Sequence, residues 1–477
     1  MSLRAKLISF LDNKKAFYCL WSLLLLQVIV LFYVTHNGLS RDHDTYMFYV
    51  KGLERGRYTY WYFFNEYIPD TFRNPGYPFF LYALSFISDS VFIIQVTQLI
   101  LYIIALFIML RIIDFYDKRF LLKSLFSILL MLNFIVSSYT TYIYPEALMI
   151  FLVTLILYIE LYHDHTKWYN VLLLVVLYAF CFQMRPVILF IPFLRFAYYL
   201  FKYRKAYLLK NITFILLFVA SLLPYGFWNL KHHHTFKITP LEGGGGVMYL
   251  GYWSPKMTDY VETRYWQNVM YDEHFISFED NKNIPENIRV FNHEWDSIDQ
   301  ICAKHLTAKD TLIINEMKKY PDLFETYNSA YTIERENILK KLAVRHYLHD
   351  FGYTFKLKFY SFFRLWFNGL VMNKHSAGNI DYGFIPVLIT FLATFFTFIL
   401  FFTHFIYCVF KKRNVLVQLG LPLLVCLYFD VLHLPFAIQS RYTIPVRLLY
   451  IFALAFMLYK IYFDDQKSSE NPETTSL

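Results

Sequence analysis

Charge is what this sequence has least of. Only 17% of its 477 residues are Asp, Glu, Lys or Arg, where a soluble domain carries about a quarter. With 57% apolar residues, that argues against a water-soluble globule. Glycine and proline number only 15 and 16, too few for collagen or low-complexity chain. The high apolar content excludes disorder. The five cysteines are Cys19, Cys181, Cys302, Cys408 and Cys426, and no Cys-x-x-Cys occurs. Only Cys302 falls in a segment expected outside the membrane, so no extracytoplasmic disulfide forms within the chain. No internal repeat is visible, which weakens an inverted-repeat transporter reading.

What the chain has in excess is aromatic side chains, with 51 Phe, 42 Tyr and 8 Trp. It also has long apolar runs. A helix needs about 20 apolar residues to cross the hydrocarbon. Residues 16–35 qualify without a charge, behind Arg4, Lys6, Lys14 and Lys15. No small-residue cleavage site follows, so this reads as a retained anchor. Further runs lie near 90–112, 121–139, 145–162, 169–184, 185–201, 210–230, 384–410, 414–433 and 444–463. The pair across 169–201 can also be read as one broken helix around Arg185-Pro186. If every run crosses once, Lys118-Arg119, Lys202 to Lys210 and Lys411 to Arg413 all fall on one side. The positive-inside rule makes that side cytoplasmic, with both termini. The net charge of +9 thus reports topology before any anionic partner, and is no nucleic-acid signature. The predicted fold class is an all-α polytopic membrane protein of about ten transmembrane helices. The middles of these spans are nearly free of charge, which disfavours a transporter.

Two segments expected outside are long, 36 to about 89 and about 231 to 383, and loops of this length usually carry function. In the first, residues 44–55 suit an amphipathic interfacial helix with Tyr46, Phe48, Tyr49 and Leu53 toward lipid. The stretch 76–88 is too short to cross and is expected along the outer face. The second is polar, reads helical over 298–349, and is large enough for a small outer-face domain. The expected organisation is an N-terminal module over 1–230, an extracytoplasmic segment over 231–383, C-terminal transmembrane helices over 384–463 and a cytoplasmic tail over 464–477.

Asp42 and Asp44 stand just after the anchor, with Tyr46 one helical turn from Asp42. A carboxylate held above the membrane suits a general base; it equally suits a helix cap. Glu146 follows Pro145 at the first turn of a span. The helix dipole favours a carboxylate there, and sugar hydroxyls or a metal would also use one. Arg185 and Arg441 stand at outer helix ends, with Arg73 and Lys231 behind. Snorkelling toward headgroups explains them, and so does a phosphate partner. Gly243–Gly246 permits close backbone approach or forms a simple turn. Three adjacent imidazoles, His232-His233-His234, cannot all face one ion on regular backbone, so a solvated cluster is expected.

A recurring set of motifs gathers at the outer helix ends. They are Asp42…Tyr46, Gly56-Arg57-Tyr58, Arg73-Asn-Pro-Gly-Tyr77-Pro, Thr141-Tyr-Ile-Tyr-Pro-Glu146, Met184-Arg185-Pro186, Pro224-Tyr-Gly-Phe-Trp228-Asn229, Glu242 with its four glycines, and Gln439-Ser-Arg441-Tyr442-Thr-Ile-Pro445. In this order they resemble the GT-C membrane glycosyltransferases. The likeness is to the bacterial branch of lipid A aminoarabinose transferases and relatives of protein O-mannosyltransferases. It covers 16–250 well, the tail moderately and 251–380 hardly at all.

The resemblance implies a GT-C-like helix bundle in the bacterial cytoplasmic (inner) membrane, with its active site on the outer face. It implies a polyprenyl-phosphate sugar donor, a glycan, lipid or protein acceptor, and inversion at the anomeric carbon. Asp42 would be the base. Asp44, Tyr46, Arg73, Tyr77, Glu146, Arg185, Arg441 and Tyr442 would bind substrate. No cofactor is implied with certainty. Some relatives bind a divalent metal through a His after the seventh span and a Glu in a Glu-Lys-Pro; Arg73-Asn74-Pro75 replaces that triplet here. The competing readings are a polyprenyl-linked lipid flippase or transporter, and an O-antigen polymerase or ligase.

Overall fold

A computed structural model describes residues 3–36, 42–163, 167–203, 208–253, 256, 283–308, 310, 328–349, 351–367, 384–436 and 440–464. Every regular element among them is helical. The first half comprises α1 (Leu3–Leu11), α2 (Lys14–Thr35), α3 (Asp42–Glu54), α4 (Gly76–Ser85), α5 (Val91–Tyr116), α6 (Phe120–Leu132), α7 (Ile135–Ser138), α8 (Glu146–Tyr162), α9 (Trp168–Met184), α10 (Ile191–Tyr203) and α11 (Leu208–His233). The second half comprises α12 (Gly245–Trp253), α13 (Ile284–Cys302), α14 (Ser329–His349), α15 (Phe351–Phe367), α16 (Phe384–Lys411), α17 (Arg413–Leu419), α18 (Leu421–His433) and α19 (Arg447–Tyr462). Tight 3₁₀ turns run over Pro186–Phe190 and Ser440–Val446.

Among the described residues, five helical stretches are long and apolar enough to cross a membrane: Lys14–Thr35, Val91–Tyr116, Leu208–His233, Leu388–Lys411 and Arg441–Tyr462. The α17–α18 pair, bent by 91°, makes a sixth if it counts as one span. Gly420 sits at that bend with φ of 52°, a left-handed conformation that glycine adopts without strain. The chain is thus a helical multi-pass membrane protein. The other apolar runs are helical but short. At 17 residues each, α8 and α9 reach about 25 Å, less than the roughly 30 Å of hydrocarbon. The run 121–139 breaks at Asn133 between α6 and α7. The run 185–201 divides into the Pro186–Phe190 turn and α10.

At the centre lies α19, buried from Leu448 through Met457. It packs against α6, α16 and α18. One end of the bundle collects cations. There the Arg4 guanidinium donates to the Tyr462 carbonyl, and Arg119 pairs with Asp464 at 2.7 Å. The Leu121 N–H donates to Asp12 Oδ1 at 3.0 Å. The opposite end holds α3, α4 and the 139–145 loop. A second core lies apart in sequence, where Tyr249, Trp253, Phe291, Trp295, Ile298 and Leu339 of α12, α13 and α14 bury one another.

One expectation about these segments changes. Tyr46 and Tyr49 do not face lipid; they are 4% and 0% exposed, because α3 packs its aromatic face on α4 and the 58–70 loop. Charged groups are also buried between helices, near helix ends except at Arg195. Glu160 and Arg195 form a buried pair that Tyr199 and Asn211 complete. Asp430 and Arg447 are also buried.

Candidate functional site

At the aromatic end, the residues picked from sequence other than Asp42 and Asp44 fall into linked contacts. The contacts start at Arg73, whose guanidinium carbon lies 4.8 Å from the Tyr46 ring and 4.4 Å from that of Phe72. Tyr46 meets Tyr77 edge-on at 4.8 Å. The Tyr77 hydroxyl donates to Gln98 Oε1 at 2.8 Å. Gln98 Nε2 donates in turn to the carbonyls of Thr140 and Tyr142, at 3.0 and 2.8 Å. One turn earlier, Gln95 Nε2 holds the Thr141 carbonyl at 2.6 Å. Two glutamines of α5 thereby set the path of the loop leading into Glu146.

Glu146 opens α8 after Pro145, which occupies the N-cap without a side-chain acceptor. Its carboxylate is fully buried and pairs with Arg185. Arg185 follows α9 in extended backbone, φ −148° and ψ 121°, as a residue before proline prefers. That extension ends the helix and leaves the side chain to reach Glu146. The Arg185 guanidinium also lies 5.3 Å from the Tyr442 ring. Arg441 approaches the same ring at 6.0 Å and Tyr144 at 4.7 Å. His433 stacks on Tyr442 at 5.1 Å. Tyr442 is therefore an aromatic surface shared by two arginines from distant parts of the chain.

Asp42 and Asp44 lie in the first turn of α3. Their side chains fall outside the described residues. Lys231 is exposed in the last turn of α11.

Several motif residues position other groups. The hydroxyls of Tyr58 and Tyr225 both donate to the Arg73 carbonyl, at 2.7 and 3.1 Å. The Gly-Arg-Tyr and Pro-Tyr-Gly-Phe-Trp-Asn motifs thus converge on the backbone that carries Arg73. Asn229 clamps the following loop by donating to the Thr239 carbonyl at 3.1 Å. At Gly76 an added Cβ would stand 2.5 Å from the Gln183 carbonyl carbon, so glycine lets α4 lie directly on the end of α9.

Asp70 was not singled out from sequence. It is 1% exposed and accepts from the Tyr49 hydroxyl at 2.6 Å and from the Phe72 and Arg73 N–H groups at 3.1 and 2.9 Å. Burial raises its carboxyl to about 6 despite those donors. Pro69-Asp70 is a turn signature, and that was the available signal. His233, expected among solvated imidazoles, is 3% exposed. Its Nε2 bonds the Asp70 carbonyl at 2.8 Å and its Nδ1 bonds Ser329 Oγ at 2.6 Å. The reason is position: the last turn of α11 packs under the 69–73 loop.

The glycine run divides: Gly243, with φ of 92°, and Gly244 form an open turn, while Gly245 and Gly246 pack against α14. A Cβ at Gly245 would stand 2.0 Å from the Glu336 carbonyl. The Gly245 and Gly246 N–H groups donate to Glu336 Oε2 at 2.7 and 3.1 Å. A carboxylate of α14 thus caps the N-terminus of α12, where the helix dipole favours it. Beside it Glu242 accepts from Thr71 Oγ1 at 3.1 Å and pairs with Arg335 at 3.5 Å. Burial lifts Glu242 to about 7; Arg335 opposes the rise and Glu336 adds to it.

Among the described residues no group of three or more His, Cys, Asp or Glu side chains is arranged to hold a metal ion. No family model matches the chain, and no curated protein or solved structure matches it.

Proposed function

We propose that this chain is an inverting membrane glycosyltransferase of the GT-C type, with about ten spans. It moves a sugar from a polyprenyl-phosphate donor to an acceptor at the outer face, with Asp42 as base. The observation that carries the reading is the approach of Arg185 and Arg441 to the one Tyr442 ring, at 5.3 and 6.0 Å. Two fixed guanidiniums at one bundle end suit a departing lipid phosphate, because Arg offers paired donors to phosphate oxygens. Arg185 spends one arm on Glu146, which orients the remainder of its fork. Arg73 supplies a third cation, stacked on Tyr46 at 4.8 Å. Tyr46, Tyr77 and Tyr442 offer aromatic surface for a sugar ring. In the proposed step Asp42 takes the acceptor proton as the acceptor oxygen bonds to the sugar C1. The C1–O bond to the lipid phosphate breaks with its electron pair, and the arginines hold the resulting charge.

The test is direct. Purified protein is incubated with a panel of radiolabelled polyprenyl-phosphate sugars and candidate acceptors. Consumption of one donor, lost in Asp42→Asn, supports the reading; consumption of none overturns it.

One observation favours a second reading, transport of a polyprenyl-linked lipid. Buried ionisable groups inside a membrane bundle commonly mark a translocation path. Asp430 Oδ1 and Oδ2 and Arg447 Nη1 are buried without a hydrogen-bond partner. Flipping of a fluorescent polyprenyl-phosphate sugar in proteoliposomes, without sugar consumption, would establish transport instead.

A further inference from the structure

The cation-rich end of the bundle carries a groove that none of the chemistry above uses. It has a volume of about 610 Å³ and lies between α1 and the first turns of α2. Its lining is Lys6, Ser9, Phe10, Asn13, Lys15 and Ala16, with Cys19. The lining brings two lysines, a serine and an asparagine together with Phe10 and Ala16. No carboxylate lines it. The nearest acid in sequence, Asp12, is engaged elsewhere: its Oδ1 accepts the Leu121 N–H at the start of α6. Asn13 uses Oδ1 to cap α2 through the Lys15 and Ala16 N–H groups, at 2.8 and 3.4 Å. Its amide N–H groups remain to donate.

The groove is held open by the packing of α1. Leu11 is buried, and its carbonyl accepts from Ser124 Oγ at 2.7 Å. Arg4 is tied to the chain end of α19. These contacts pin α1 across the feet of α6 and α19. Leu7 and Phe10 are left exposed at 52% and 59%, a pattern that suits a helix lying at a membrane surface.

A continuous apolar track leaves the groove along α2. Cys19, Leu23, Leu26, Val30 and Tyr33 recur at alternating steps of four and three, so they share one helix face. All five are exposed. The groove therefore offers cationic and neutral donors at its mouth and about 20 Å of apolar helix face beyond it. That is the layout of a headgroup joined to acyl chains.

We propose that this groove binds an anionic glycerophospholipid. Its phosphate sits between Lys6 and Lys15, and its acyl chains lie along the Cys19–Tyr33 face of α2. Basic pockets at the ends of membrane helices take such headgroups through charge and donor complementarity. The site is independent of the sugar-transfer reading, since it lies at the opposite bundle end and shares no residue with it.

The experiment uses the full chain in nanodiscs or detergent. Binding of phosphatidylglycerol and of phosphatidylcholine with identical acyl chains is measured by native mass spectrometry. Wild type should prefer phosphatidylglycerol by on the order of tenfold, as two lysines near a lipid phosphate provide. Lys6→Gln/Lys15→Gln should lose that preference, and Lys6→Arg/Lys15→Arg should retain it. Ala16→Trp, which fills the groove without changing charge, should weaken both lipids. Equal binding of the two lipids by wild type overturns the proposal. So does an undiminished preference in the glutamine variant, which would assign it to other cations of that face. Competition by millimolar inorganic phosphate alone would show a phosphate site with no lipid specificity, and overturns it too.

Discussion

Arg185 and Glu146, 39 residues apart in sequence, form an ion pair whose acidic partner is completely buried. Glu146 Oε2 is buried without a hydrogen-bond partner. Removing one member of such a pair leaves an uncompensated charge, at a cost of about 3–5 kcal/mol. Arg185→Ala should therefore lower the thermal midpoint in detergent markedly. The double variant Arg185→Met/Glu146→Gln should recover much of the loss. A single variant as stable as wild type would show that Glu146 does not depend on Arg185.

Arg441 is argued to contact the lipid phosphate. Arg441→Ala should raise the KM for the lipid donor several-fold with a smaller effect on folding. An unchanged KM removes Arg441 from the phosphate site. Asp42→Asn should abolish sugar transfer while leaving lipid binding and the thermal midpoint near wild type; normal turnover would sink Asp42 as base.

Gly76 and Gly245 are among the glycines that close backbone approach requires. An alanine at Gly76 would meet the backbone of Gln183, and one at Gly245 the carbonyl of Glu336. Each should cost about 1–3 kcal/mol, the usual penalty of overpacking. The loss at Gly245→Ala should be confined to the α12–α14 unit. Hydrogen exchange of α12 amides would show it, and unchanged protection there would contradict the contact.

Asp70 and Glu242 give the exposed loops a pH dependence of defined sign. Both carboxyls are raised by burial, from 3.8 to about 6 and from 4.5 to about 7. A raised carboxyl keeps its proton in the fold where the unfolded chain has lost it. Stability therefore falls as pH rises from near 4 through about 7. The Asp70 contribution is on the order of 3 kcal/mol. Asp70→Asn cannot titrate and should flatten the profile between about pH 4 and 6. A thermal midpoint that falls as steeply in the variant would remove Asp70 as a source.

Much of the site was legible because its residues carry local marks. Arg185 precedes a proline, Glu146 follows one, and Arg441 and Tyr442 precede a helix in a polar break. The polarity of the bundle was legible for the same reason, since clusters such as Lys411 to Arg413 interrupt apolar runs. Asp70, His233 and Glu336 were not legible as partners. The Asp70 carboxylate draws its donors from Tyr49 and the next two or three residues, while His233 and Glu336 rest on contacts 90 or more residues away. Periodicity reports which face of a helix is apolar; it does not report what that face meets.

Composition and apolar runs by themselves determined a helical membrane chain with a cationic end and an aromatic end, because lipid admits only backbone that satisfies its own hydrogen bonds. Tertiary packing decided the rest. It turned Tyr46 and Tyr49 inward, spent Gly245 and Gly246 on a helix contact, buried one of three histidines and joined Arg185 to Glu146. Those outcomes depend on which surfaces compete for the same buried volume and the same donors, and only the assembled bundle sets that competition.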